Sequence, residues 1–294
     1  MKLVFFGSSE FSVYVLDELK VHNILPEFVI TTPDKPKGRK LVLTPTPVKV
    51  WANKNKIPVL DPLSLKNNPN LVSELRVKDY ELFLVASYGK IIPKEIFEIP
   101  EHKTLNIHPS LLPKYRGASP IQSQILNDEK EIGVTIMQID EGVDTGPIVI
   151  QKRIEVETLG RKELEKILAV GGAKLFAYVL PEWMQETISP TMQDESKATY
   201  CKKVEKEDGE LQIDLNNPPV GGNARQNLLK IKAFEEWPTA YFFLSKNSRS
   251  AKASRDKRII ITDATIEGDK LKILKVIPEG KKEMSFDDFL RGQK

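Results

Sequence analysis

The stretch Thr104–Gly146, TLNIHPSLLPKYRGASPIQSQILNDEKEIGVTIMQIDEGVDTG, decides how the rest of the chain is read. It opens with Asn106-Ile107-His108 at the end of a short apolar run. It closes with Asp144-Thr145-Gly146 after a second run, Gly133 to Ile139. An amide, an imidazole and a carboxylate, each following a strand-like run, are groups that attack on an acyl carbon needs. Imidazole titrates near neutrality and can take a proton from an amine. A side-chain amide can donate to a developing oxyanion, and a carboxylate can orient and charge-stabilise the imidazole. Asn106 and His108, two residues apart on a strand, share a face. Taken singly, each also has a structural reading: imidazole is a common buried hydrogen-bonding group, and an acid near a glycine is ordinary turn chemistry. His22 and His102, the other two histidines, have no such company.

Working outward, the pattern alternates strand and helix. Lys2 to Phe6 is an apolar run ended by Gly7, with Ser8 or Ser9 as N-cap of a helix through Phe11, Val15, Leu16 and Leu19. A single glycine there does not meet the dinucleotide-binding fingerprint. Glu27–Thr32 and Ile57–Leu60 read as strands, Val48–Lys56 as a helix, and a further helix falls within Asn70–Val77. Glu81–Ser87 is apolar enough for a central parallel strand buried on both faces. It runs into Tyr88-Gly89-Lys90-Ile91-Ile92-Pro93, at the sheet edge where open α/β folds bind ligands. Ile148–Val156 reads as a strand and Arg161–Gln185 as the long helix that closes a first domain. The expectation for residues 1–186 is an α/β, Rossmann-like fold: an open, mostly parallel sheet with helices on both faces. Residues 187–205 read as a linker. In 206–294, a helix over Ala224–Ala233 accompanies short β-like runs at Leu211–Leu215, Ala240–Leu244, Arg258–Thr262 and Leu271–Ile277, which suggests a small, OB-like β-barrel.

Composition sets the class. With 294 residues, 40% of them hydrophobic and 29% charged, the chain has the material of one large or two ordinary globular domains. No window approaches the ~20 uninterrupted apolar residues of a membrane span. The opening MKLVFFGSSEF carries one Lys and too short an apolar run for a secretory signal. A lone Cys201 excludes a disulfide framework and a cysteine-based metal cluster. A cytoplasmic enzyme or binding protein is expected. The net charge of +3 is too small to name a nucleic-acid partner, but cations gather in two places. Lys35, Lys37, Arg39 and Lys40 in PDKPKGRK oppose Asp34, in a connection longer than the usual ~2–6 residues. Lys246, Arg249, Lys252, Arg255, Lys257 and Arg258 oppose Asp256. The first reads as an exposed solvated loop or as a phosphate-seeking one that reaches into a nucleic acid. The second, a strongly cationic hairpin region, is the better local evidence for an RNA backbone surface.

Asn106-x-His108, Ser110-Leu111-Leu112-Pro113, Arg116-Gly117, and Gly133-Val134-Thr135-Ile136 leading to Asp144-x-Gly146 together resemble the folate-dependent formyltransferases, above all those acting on methionyl-tRNA. The resemblance implies that Asn106, His108 and Asp144 converge as the catalytic group. It implies that Ser110, Leu111, Leu112 and Pro113 contact the folate, and that Ile91 and Ile92 wall its pocket. It also implies 10-formyltetrahydrofolate as formyl donor, tetrahydrofolate as product and no metal. Arg39, with Lys37 and Lys40, would reach the acceptor end of initiator methionyl-tRNA. The C-terminal barrel, with Lys252 and Arg255, would meet the RNA backbone. A monomer making formylmethionyl-tRNA for translation initiation is the implied whole. The motif here begins His-Pro-Ser, where many relatives have His-Gly-Ser. A transferase acting on a nucleotide-linked amino sugar would share the three catalytic residues without needing PDKPKGRK; a non-catalytic RNA-binding relative would not need them intact.

Overall fold

The computed structural model describes residues 1–38, 41–155, 160–214, 221–244 and 257–293. The chain begins β1 (Leu3–Gly7), α1 (Glu10–Val21), β2 (Phe28–Ile30), β3 (Lys35–Lys37), β4 (Val42–Thr44), α2 (Pro47–Lys54), β5 (Val59–Leu60), α3 (Pro69–Val77) and β6 (Leu82–Ala86). It continues α4 (Lys94–Phe97), β7 (Thr104–His108), β8 (Arg116–Gly117), α5 (Pro120–Leu126), β9 (Ile132–Gln138), β10 (Ile148–Ile154), α6 (Arg161–Met184) and β11 (Tyr200–Cys201). α7 (Gly221–Ala233), β12 (Ala240–Leu244), β13 (Lys257–Glu267), β14 (Lys270–Pro278), β15 (Met284–Ser285) and α8 (Phe286–Arg291) follow. Two compact units result. The first holds Met1–Pro120, Glu131–Val156 and Leu164–Cys201; the second holds Ile121–Lys130, Glu157–Glu163 and Lys202–Lys294.

The first unit is built on a seven-stranded sheet in the order β10-β9-β7-β6-β1-β2-β5. β5, β2, β1, β6 and β7 run parallel, whereas β9 and β10 are antiparallel to their neighbours. β1 and β6 are buried along their whole length, which is why their sequences are unbroken apolar runs rather than alternating ones. Ser9 is the N-cap of α1: its hydroxyl accepts from Ser12 N, and Ser12 answers in a capping box. Ser8 instead accepts from Thr32 N at 3.1 Å, tying the first loop to the end of β2.

α6 covers the sheet face turned away from Asn106 and His108. A Cβ on Gly172 would collide with the side chains of Ile107 and Val134, so glycine at this point lets the helix backbone lie directly on β7 and β9. By length and composition alone α6 could cross a membrane. Here its row Leu164, Leu168, Ala169, Ala173, Phe176 and Val179 is buried within the protein, as the core-facing stripe of a sheet-packed helix.

The structure differs from the sequence expectation in three places. The basic connection after β2 is a β-hairpin rather than an irregular loop, with Lys35 paired to Thr44 and Lys37 to Val42. Its turn carries positive φ at Gly38 (71°) and Leu41 (49°). Lysines and a proline hide this strand from propensity. Lys37 lies in β3, while Arg39 and Lys40 fall outside the described residues. The stretch read as a linker is tied into the first unit as far as Cys201. Thr191 bridges Ile148, and β11 pairs with β8. In the second unit, Leu211–Asp214 form no strand, although Glu210 makes an isolated bridge to Tyr241; Leu215 lies outside the described residues.

The strands of the second unit form an antiparallel sheet, β12-β13-β14-β15, consistent with a small barrel. Its core joins Phe242, Ile259, Ile261, Ile273 and Val276 from the sheet to Ala224, Leu228 and Ile231 of α7 and Phe289 of α8. Lys252 and Arg255 lie outside the described residues.

Candidate active site

Strand register puts Asn106 and His108 on one sheet face. Asn106 stands beside Val85 of β6 and opposite Met137 of β9, and His108 stands opposite Thr135. His108 is buried at the carboxyl end of β7. Its Nε2 lies 3.0 Å from the carbonyl oxygen of Tyr115. A carbonyl can only accept, so Nε2 carries the proton in the neutral ring and Nδ1 holds the lone pair. Nδ1 is the atom that faces Asp144, 3.7 Å from Oδ2.

Asp144 reaches this position by a detour. β9 is antiparallel to β7, so its last residue, Gln138, lies opposite Leu105 rather than beside His108. The loop Ile139–Pro147 brings the carboxylate back to the strand end. Asp144 has a left-handed backbone, φ 54°, and its Oδ2 accepts from Gly117 N at 2.8 Å. Gly117, at φ 108°, has the carbonyl oxygen of Cys201 2.7 Å from where a Cβ would stand. Only glycine fits both that conformation and that approach.

The loop after His108 begins with a tight turn in which Ser110 N donates to His108 O at 2.9 Å. Proline at its centre suits the fixed φ of such a turn, so His-Pro-Ser is accommodated here. Thr135 of β9 underpins the loop: its hydroxyl donates to Ser110 O at 2.6 Å and accepts from Leu112 N at 3.1 Å. Gln151 of β10 donates to Leu112 O at 2.8 Å. Ser110 is fully buried, with its hydroxyl donating to Lys114 O at 2.7 Å. Leu111 is partly buried, with its side chain over Gly133. Leu112 is buried and joined to Pro113 by a cis peptide bond.

Ile91 and Ile92 part company: Ile91 is 85% exposed, whereas Ile92 is 7% exposed within the apolar cluster that also holds Phe6, Phe83, Val85 and Tyr88. Ile139, from the loop that carries Asp144, packs against the same cluster. The Tyr88 hydroxyl is buried there without a hydrogen-bond partner, and burial pushes its pKa up to about 12.

Sequence reasoning missed the support behind Asp144. Arg116 is 0% exposed. It donates from Nε (3.0 Å) and Nη2 (2.8 Å) to Gln193 Oε1, from Nη1 (2.9 Å) and Nη2 (2.7 Å) to Glu195, and from Nη1 to the Tyr200 hydroxyl (2.9 Å). Glu195 raises the pKa of Arg116, and Arg116 lowers that of Glu195. Gln193 in turn donates to the carbonyls of Asp144 and Gly146, at 2.9 and 2.7 Å. The signal in the sequence was Arg116 itself, one of the residues that carry the resemblance.

Among the described residues no group of three or more His, Cys, Asp or Glu is disposed to hold a metal ion. With the ring neutral, the arrangement presents the Asn106 amide and the His108 Nδ1 lone pair on one sheet face, with the Asp144 carboxylate brought to the same strand end by its loop, and so suits acyl transfer to an amine.

Known proteins agree. A family model described as "Formyl transferase" matches residues 1–176. The methionyl-tRNA formyltransferase of Dictyoglomus turgidum is 38% identical over 311 aligned residues, covering 99% of this chain and 96% of that protein. The solved methionyl-tRNA formyltransferase of Clostridium thermocellum superimposes with a TM-score of 0.58 at 18% identity, covering 97% of this chain and 99% of that one. HypX from Aquifex aeolicus, solved in complex with tetrahydrofolic acid, gives 0.66 at 15% identity, covering 99% of this chain and 47% of that one. At such identities the two structures speak for the fold, and the family rests on the sequence matches. The chain belongs to the formyl transferase family, among the methionyl-tRNA formyltransferases.

Proposed function

We propose that Asn106, His108 and Asp144 carry out in this chain the reaction of its family, transfer of a formyl group from 10-formyltetrahydrofolate to the α-amino group of methionyl-tRNA. His108 Nδ1 takes the proton that the amine sheds as its nitrogen bonds to the formyl carbon. Asp144, 3.7 Å away, stabilises the resulting imidazolium. The Asn106 amide donates to the oxyanion of the tetrahedral intermediate. The proton held on His108 then passes to the folate nitrogen as its bond to the formyl carbon breaks, releasing tetrahydrofolate. The apolar face made by Val85, Tyr88, Ile92 and Ile139 fits a flat, ring-bearing donor beside Asn106. Leu111, Leu112 and Pro113 border the same strand end, and Ser110 serves the loop from within.

The observation that carries this reading is the pairing of Nε2 with a carbonyl, which leaves Nδ1 as base beside Asp144. Residues 206–294, with Lys252 and Arg255, and the hairpin with Lys37, Arg39 and Lys40, are assigned to tRNA. The chain acts as a monomer in the cytoplasm, where initiator methionyl-tRNA is formylated before translation begins. The test is a formylation assay with 10-formyltetrahydrofolate that offers methionyl-tRNA, free methionine and a nucleotide-linked amino sugar in parallel. Formylmethionyl-tRNA as the sole product supports the reading; formylation of the sugar alone would overturn the assignment of the hairpin and the second unit.

A further inference from the structure

We infer that Gln193, locked in place by Arg116, is a positioning residue for Asp144, an assignment that rests on the reading of Asp144 as the partner of His108. Asp144 holds a left-handed backbone (φ 54°), a region that Asp enters more readily than most residues with a side chain, and hydrogen bonds from elsewhere in the fold hold it there. Two attachments meet there. Gly117 N donates to the carboxylate. Both hydrogens of Gln193 Nε2 are committed to carbonyls on either side of Thr145, those of Asp144 and Gly146. The Gln193 amide cannot turn over, because its Oε1 accepts two N–H groups of Arg116. A flip would set an NH₂ against a guanidinium and an oxygen against two carbonyls. Arg116 is itself held by Glu195 and the Tyr200 hydroxyl. It also immediately precedes Gly117 in β8. Arg116 is thus linked to Asp144 twice: its guanidinium through Gln193 to the backbone, and its main chain through the next residue, Gly117, whose N–H holds the carboxylate.

The experiment is a double-mutant cycle on the full chain, reading kcat and KM for formyl transfer from 10-formyltetrahydrofolate to methionyl-tRNA. Wild type, Gln193→Met, Asp144→Asn and the double variant are compared, with thermal unfolding as the check on folding. Gln193→Met is expected to lower kcat about tenfold to hundredfold, the scale of a small misplacement of a reacting group, with little change in either KM. The double variant is expected to be no slower than Asp144→Asn alone, since both remove the same help to His108. If Gln193→Met does not fold, Glu195→Gln, which weakens the hold on Arg116 from an exposed position, takes its place in the cycle with a smaller expected loss and the same non-additivity. Independent, additive losses, or an unchanged kcat in the folded variant, would overturn the inference and leave Asp144 standing. Wild-type turnover in Asp144→Asn would remove the reading of Asp144 and this inference with it.

Discussion

The strand end around His108 and the β3–β4 hairpin are both polar features of the first unit, yet they are built in opposite ways. Behind His108 the polar groups are tied to one another. Tyr115 O holds the ring, Gly117 N holds Asp144, and Gln193 with Arg116 holds the loop. The hairpin turns its apolar side chains outward, with Leu41, Val42 and Leu43 all exposed. It is fastened at its foot, where Lys49 bridges Asp34 at 2.9 Å and Asp61 at 2.7 Å, and these two carboxylates raise the lysine pKa. The contrast is the one that the two proposed tasks require. Bond-making needs groups held to fractions of an ångström before substrate arrives. Capture of a large polyanion needs reach and charge, which tolerate looser placement.

Perturbing the two regions should therefore fail in different ways. The largest effect belongs to the site. Asn106→Ala is expected to lower kcat about 10²–10³-fold, the usual loss of one oxyanion donor, with KM for methionyl-tRNA unchanged; steady-state kinetics on both substrates read this out. The hairpin comes next. Arg39→Ala with Lys40→Ala should raise KM for methionyl-tRNA about tenfold and flatten its logarithmic salt dependence by about 0.9 for each phosphate no longer neutralised. kcat and melting temperature should stay the same. A fall in kcat with an unchanged salt slope would erase the contrast. The smallest effect lies on the apolar wall beside Asn106. Tyr88→Phe removes a buried hydroxyl that has no partner, so unfolding free energy should change by no more than about 1 kcal/mol, in either direction. A pH term accompanies it. The folded-state pKa of Tyr88 is raised from 10.0 to about 12, so its stabilising contribution is intact below the unfolded value and is lost as pH rises through that interval. Melts from below pH 10.0 up to about pH 12 should show the wild type losing stability faster than Tyr88→Phe.

The same contrast explains what the sequence made legible. Buried parallel strands announce themselves, because both faces demand apolar residues; β1 and β6 are read directly from VFF and LFLVA, and the equally buried β9 from IGVTIM. Asn106, His108 and Asp144 were visible as chemistry at strand ends. Their approach was not, since Asp144 returns to His108 through a loop beyond an antiparallel strand. The β3–β4 hairpin was hidden because lysine and proline carry no strand signal. Gln193 was invisible: it lies 77 residues beyond Arg116 in a polar stretch that reads as connection, and a fully buried arginine is a rarity that composition does not foretell.

One comparison bears most directly on the claim that His108 is the base of this reaction. His108→Ala and the wild type would be followed in single-turnover formylation with saturating 10-formyltetrahydrofolate and methionyl-tRNA, alongside the affinity of each protein for the charged tRNA. The account predicts turnover reduced by at least about 10²-fold with tRNA affinity unchanged. Wild-type turnover in a folded His108→Ala protein would contradict it.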